Sequence, residues 1–177
     1  MTSKKYQYLE EYIGPHDHAV KVWQENSFLP VISKDIKEVE RKTGIHFPES
    51  LKKFWLNIGC GNLTVGKESD KEHEYYHANC ILSPEQIADI MLLKDESEFV
   101  IPGLSEYFEE GYIKDDDIIF FEIGDMSSFL VMKPNSDKPN AVYDMIGRVI
   151  EEDFERFIWR LYHESPDYYL HVYPVPE

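Results

Sequence analysis

The sequence predicts a single α+β domain, a mainly antiparallel sheet packed against helices from both ends of the chain. Three observations predict it. Apolar stripes at helical spacing occur early, at Leu51, Phe54, Trp55 and Ile58, and again late, at Phe154, Phe157, Ile158 and Leu161. Between them lie short β-branched and aromatic runs at 118–123, 129–132 and 141–144, separated by turn sequences. A chain of 177 residues, 42% hydrophobic and 14% aromatic, is long and apolar enough for one core.

In chain order, residues 3–13 read as a short amphipathic helix with Tyr6, Leu9 and Ile13 on one side, ended by Gly14-Pro15. Residues 19–28 read as a second short helix with Val22 and Trp23 inward, broken by Pro30. Ser33 is the expected cap of the next helix. Asp35 suits its positive end, Ile36 and Val39 face inward, and Gly44 stops it. Pro48 opens the following helix, where a fixed φ and a missing N–H cost nothing. Gly59 is the expected left-handed cap, Cys60-Gly61-Asn62 a reversal, and 63–65 a strand. These two helices are expected to pair through Ile45-His46-Phe47.

Residues 67–76 are charged and lack apolar periodicity, so they read as an exposed hairpin loop, followed by a strand over 76–82. Ser83-Pro84-Glu85-Gln86 is a capping box opening a helix through Ile87, Ile90 and Met91. Pro102-Gly103 breaks the chain, and Leu104, Tyr107 and Phe108 give one or two turns ended by Gly111. Asp115, Asp116 and Asp117 lead into the strand at 118–123. Gly124-Asp125 turns it back into 129–132, and 141–144 completes a three-strand meander with a short extension over 146–149. Asp153 caps the last helix, with Glu151 and Glu152 beside its N-terminus, and Ser165-Pro166 ends it. Residues 168–175 either add an edge strand or wrap the surface. The expected organisation is a helical extension over 1–32, an α+β domain over 33–164 and a Tyr/Pro-rich tail over 165–177.

The formal net charge is −16. Residues 1–88 hold 13 acids and 11 bases, whereas residues 89–177 hold 21 acids and 7 bases. A surface this anionic repels phosphate and anionic lipid, which excludes general nucleic-acid and membrane-surface binding. Its asymmetry instead steers a basic partner. The two cysteines, Cys60 and Cys80, form no disulfide framework and fit a reducing cytoplasm. No signal-peptide pattern follows the first lysines, and no apolar run reaches membrane-spanning length.

Reactive patterns are lacking. Gly59-Cys60-Gly61 follows a helix instead of preceding one, so it is no phosphate cradle. There is no G-x-S-x-G or H-E-x-x-H. His16 and His18 flank Asp17, and His73, His77 and Cys80 have a possible metal spacing, but in neither place is the rest of a ligand set specified. The expectation is a protein without catalytic residues, cofactor or metal.

Three ordered segments resemble the SUKH superfamily, the Smi/Knr-type cell-wall-regulator fold that bacteria largely use for immunity proteins. The first is the helix from Pro48 through Leu51, Phe54 and Trp55 to Gly59 and Gly61. The second is the acidic approach at Asp115-Asp116-Asp117, with its strand, its Gly124-Asp125 turn and the return strand. The third is the Phe154-x-x-Phe157 helix. Together they span roughly 33–161. The longer N-terminus, the 67–76 insertion and the tail depart from the family pattern. The resemblance implies a non-enzymatic immunity protein or antitoxin that binds a toxin; the acidic surface suits a basic toxin such as a nuclease, the cysteine usage fits the cytoplasm, and the expected state is a monomer or weak dimer. The alternative is a regulatory scaffold of the cell-wall-regulator type; an enzyme or metal protein using the His/Cys residues is a third class. The expected contact residues are Glu109, Glu110, Asp115, Asp116, Asp117 and Asp125, with Tyr168, Tyr169 and Tyr173 as aromatic anchors. The tail's aromatic residues equally suit sealing a dimer or the domain's own sheet.

Overall fold

The computed structural model describes residues 4–14, 25–67, 79–92, 101, 103–124 and 128–172. Within them the chain forms one α+β domain built on a seven-stranded sheet. The strands are β1 (Ser27–Leu29), β2 (Cys60–Asn62), β3 (Asn79–Ile81), β4 (Ile118–Ile123), β5 (Ser128–Met132), β6 (Val142–Asp144) and β7 (Val149–Glu151). Their spatial order follows the chain, and every neighbouring pair is antiparallel. The helices are α1 (Ser33–Thr43), α2 (Glu49–Asn57), α3 (Pro84–Leu92), α4 (Leu104–Glu109) and α5 (Phe154–His163), with 3-10 helices at Lys4–Tyr12 and Tyr168–His171. No helix among the described residues is long and apolar enough to cross a membrane.

Local chemistry sets several boundaries as expected. The Ser83 hydroxyl accepts from the Gln86 N–H, and the Gln86 side chain accepts in return from the Ser83 N–H. Gly44 closes α1 in the left-handed conformation at φ 76°. Asp153 accepts from the Arg156 N–H at the start of α5. Others differ. Ile32, not Ser33, precedes α1 and offers no side-chain cap. Pro48 is extended, with ψ 142°, and stands one residue ahead of α2.

The larger corrections lie around β1 and β2. Residues 27–29 form a strand instead of a helix end, and Cys60–Asn62 forms a strand instead of a reversal. Gly59 is not a left-handed cap: its φ is 122° and α2 ends at Ile58. What requires glycine is proximity, because a Cβ on Gly59 would lie 2.1 Å from the Leu29 carbonyl oxygen and one on Gly61 2.1 Å from that of Ser27. The open side of β1 is met in turn by the N-terminal segment, where the Gly14 N–H donates to the Phe28 carbonyl at 3.1 Å. The meander has a fourth strand, β7. The Asp144 carboxylate draws the β6–β7 turn together by accepting from the N–H groups of Ile146 (3.1 Å) and Arg148 (2.8 Å).

The helices pair mainly across the fold. α1 packs chiefly against α3 and α2 against α5, while Glu40 ties α1 to the expected α2 neighbour through the Phe47 N–H (3.1 Å) and Lys52 Nζ (3.4 Å). A relay of aromatic rings joins them. Phe54 meets Tyr6 (5.1 Å), Phe28 (5.8 Å) and Phe154 (5.8 Å), and Phe157 meets Phe120 (6.0 Å) and Phe121 (5.3 Å). Consecutive residues Phe120 and Phe121 both reach α5 because the β4–β5 register shifts between Ile119 and Phe121. Leu51 and Trp55 complete the buried face of α2, and the Trp55 indole donates to the Leu82 carbonyl at 3.0 Å.

The chain's two ends belong to this same core. Tyr6, Leu9 and Phe28 are buried in it, as are Tyr168 and Tyr169, so the tail forms a 3-10 helix sealed onto the sheet instead of an edge strand. Asn79 is the fastener. Its amide donates to Leu63 O (3.2 Å) and Pro166 O (2.8 Å), and its oxygen accepts from Tyr169 Oη (2.7 Å). Asn79→Ala would orphan three buried polar groups, an expected loss of about 2–3 kcal/mol. Urea unfolding checks it; an unchanged midpoint would show that the tail is held by packing alone.

Candidate functional site

The acidic surface is built at the α4–β4 corner. Residues 103–117 contain 6 acids, Glu106, Glu109, Glu110, Asp115, Asp116 and Asp117, against 1 base, Lys114. α4 is rooted by buried Leu104 and by Tyr107, whose ring packs on Phe129 at 5.6 Å and whose hydroxyl reaches Met145 Sδ at 2.9 Å. That anchoring leaves Glu106, Glu109 and Glu110 exposed. Gly111, at φ 76°, ends the helix, and the buried Ile113 returns to it through a 3.1 Å bond from its N–H to Tyr107 O. Tyr112 stands 39% exposed between Glu110 and Asp115. Asp115 and Asp116 follow, both exposed, with Asp116 accepting from the Asn135 amide.

Asp117 is different, and its place among the contact residues is corrected. It is 4% exposed. Its Oδ2 accepts from the Lys114 N–H (2.9 Å) and from Lys133 Nζ (3.1 Å), while the same ammonium donates to Tyr112 O (2.6 Å). A carboxylate enters a protein interior only with such partners. Asp117 therefore shapes the acidic turn instead of meeting a partner. Asp117→Ala would leave the half-buried Lys133 and the Lys114 N–H unmatched, an expected cost of about 2–4 kcal/mol. Thermal or urea unfolding measures it, and a loss under about 0.5 kcal/mol would contradict the pairing.

Several acids further along carry counter-charges. Asp144 pairs with Arg148 (2.6 Å), Glu151 with Arg160 (3.1 Å), Glu152 with Lys138 (2.6 Å), Glu155 with Lys5 (2.6 Å) and Glu164 with Arg160 (2.7 Å). Such surface pairs add little stability, but they cancel the field at a distance. Among the described residues no ion pair engages Glu106, Glu109, Glu110 or Asp116, so these acids leave the α4–β4 corner anionic.

Beside this corner lies a cleft of about 430 Å³. Its lining is apolar at Ile45, Met91, Ile118 and Pro134 and polar or charged at His46, Asp115, Asp116 and Asn135, with Leu92 58% exposed beside them. Tyr112 and Leu92 are exposed apolar groups beside the acids that sequence reasoning passes over. Tyr112 had a legible signal, an aromatic residue inside an acidic run that continues neither a helical nor a strand period.

The other candidates separate. Asp125 and Tyr173 lie outside the described residues. Tyr168 and Tyr169 are not surface anchors. Tyr168 lies beneath the Arg160 guanidinium at 4.0 Å and against Phe157, and Tyr169 is bound to Asn79. Of the roles the tail's aromatic residues suit, these two seal the domain's own sheet; a Tyr-rich tail carries no helical or strand period that announces burial. His16, His18, His73 and His77 also lie outside the described residues. Cys80 sits on β3, where burial pushes its thiol up to about 12, and burial raises Cys60 as well. Both thiols therefore stay protonated at neutral pH and are weak nucleophiles and ligands. Glu122, opposite Cys80 on β4, is raised by desolvation. Among the described residues no group of three His, Cys, Asp or Glu side chains is placed to hold a metal.

Comparison with known proteins follows this geometry. The family model described as SMI1 / KNR4 family (SUKH-1) matches residues 30–170. The protein named Immunity protein YxxD, from Bacillus subtilis (strain 168), is 30% identical over 151 residues, covering 85% of this chain and 92% of that protein. No solved structure matches the chain.

Proposed function

This chain belongs to the SMI1 / KNR4 family (SUKH-1), and on that premise we propose that it is an immunity protein that neutralises a toxin by binding it directly, without catalysis. The observation that carries the reading is its 30% identity, over most of both chains, to a protein named as an immunity protein. The α4–β4 corner supports a basic partner. An uncompensated anionic surface accelerates encounter with a cationic one, and it occupies the face that a nuclease toxin would present to nucleic acid. Exposed Tyr112 and Leu92 supply apolar contact area within that field. The protein acts in the cytoplasm of the producing or a sibling cell, where an incoming toxin finds its target.

Affinity capture of the tagged full chain from its native cells, eluted at stepped salt, identifies the partner. Co-expression then tests the function. The recovered toxin gene should arrest growth of a host by itself and permit growth beside this chain. Equal killing with and without the chain would sink the proposal. Recovery of envelope-synthesis proteins with no toxin among them would favour the regulatory-scaffold reading.

A further inference from the structure

We infer that the cleft beside the acidic corner is a receptor pocket for an arginine side chain of the partner. The inference rests on the toxin-binding reading and names the chemistry of its central contact. The cleft combines two features that a small ion or a purely apolar ligand would not use together. Its lining joins the apolar side chains of Ile45, Met91, Ile118 and Pro134, which suit a methylene stem, to the carboxylates of Asp115 and Asp116. These two carboxylates belong to no group of three metal-ligating side chains among the described residues, and a hard divalent cation takes more oxygen ligands than they supply. They do suit a guanidinium, which is planar, weakly hydrated and able to bond carboxylate oxygens in pairs.

The volume of about 430 Å³ accommodates one long side chain with the backbone that presents it. The Asn135 amide bonded to Asp116 holds that carboxylate in place before a ligand arrives. Leu92 on the rim, 58% exposed, would be covered by the residues flanking the arginine. An aliphatic stem against apolar side chains, with its charge paired to carboxylates, is a common way for arginine to anchor an interface, where it is enriched.

The test uses the isotope-labelled full chain and two matched tripeptide amides, acetyl-Gly-Arg-Gly and its citrulline counterpart, followed by amide chemical shifts. The arginine peptide should cause saturable shifts at Gly44, Leu92, Asp116 and Asn135. The citrulline peptide, isosteric but neutral, should bind about tenfold more weakly. Asp116→Asn should weaken the arginine peptide about fivefold while leaving the other amides of the spectrum in place. Equal shifts from both peptides, shifts centred on residues 106–110, or no saturable shift would overturn the pocket. The immunity reading is separable. A captured toxin neutralised by a chain whose cleft ignores arginine leaves that reading standing. A cleft that selects arginine in a chain that neutralises no toxin leaves only the pocket.

Discussion

Reversing Glu106, Glu109 and Glu110 to lysine together should slow association with the toxin by about ten- to a hundredfold at low salt and change dissociation much less. The three side chains are exposed at the α4–β4 corner, and among the described residues no ion pair engages them. Their contribution is a field acting before contact, so it belongs to the encounter rate. Raising the salt shortens the range of that field and should close most of the gap between wild type and variant. The matched control reverses Glu152, Glu155 and Glu164, which changes net charge equally but at acids already paired with Lys138, Lys5 and Arg160. Surface-plasmon or stopped-flow rates across a salt series provide the measurement. An unaltered on-rate at low salt, or an equal effect from the control, would remove the α4–β4 corner as the steering surface.

Gly61→Ala should cost about 3 kcal/mol or more, enough to leave a typical domain largely unfolded on mild heating. Two effects combine at this residue. Its φ of 141° lies in a region that L side chains rarely adopt, and the new Cβ would stand 2.1 Å from the Ser27 carbonyl oxygen. Backbone on both sides leaves no flexible atom to move, so β1 must separate from β2. That separation would also strain the bond from the Gly14 N–H to the Phe28 carbonyl. Gly111→Ala separates the two contributions. Its φ is 76° with nothing within 4 Å of the added Cβ, so only the conformational cost of about 1–2 kcal/mol applies. Denaturation midpoints for both variants check the ranking, and a Gly61→Ala protein no less stable than Gly111→Ala would refute the close-approach argument.

The candidate surface was partly legible in the chain. Glu109, Glu110, Asp115 and Asp116 are acids in loops and at helix ends, where solvent is the default environment. Asp117 is chemically identical to its two neighbours and differs only in having Lys133 folded onto it. Local sequence does not encode that pairing. Tyr168 and Tyr169 illustrate the same limit: their burial depends on Asn79, Phe157 and Arg160, which arrive from three other parts of the chain.

By itself the sequence determined the α+β class, the Phe54/Trp55 and Phe154/Phe157 stripes, the capping box at Ser83 and the Asp153 cap. These are short-range effects, settled by side chains within one or two turns of the backbone they satisfy. Only the tertiary structure decided that residues 27–29 and 60–62 are strands, that Gly59 and Gly61 are required by a neighbouring backbone, and that α1 packs chiefly on α3. Strands of three residues carry too little pattern to announce themselves, and their pairing energy comes from partners distant in the chain. The same reason governs the surface. Charge is written in the sequence, but which charges remain uncompensated is fixed only when the fold brings the cations to some acids and leaves others to the solvent.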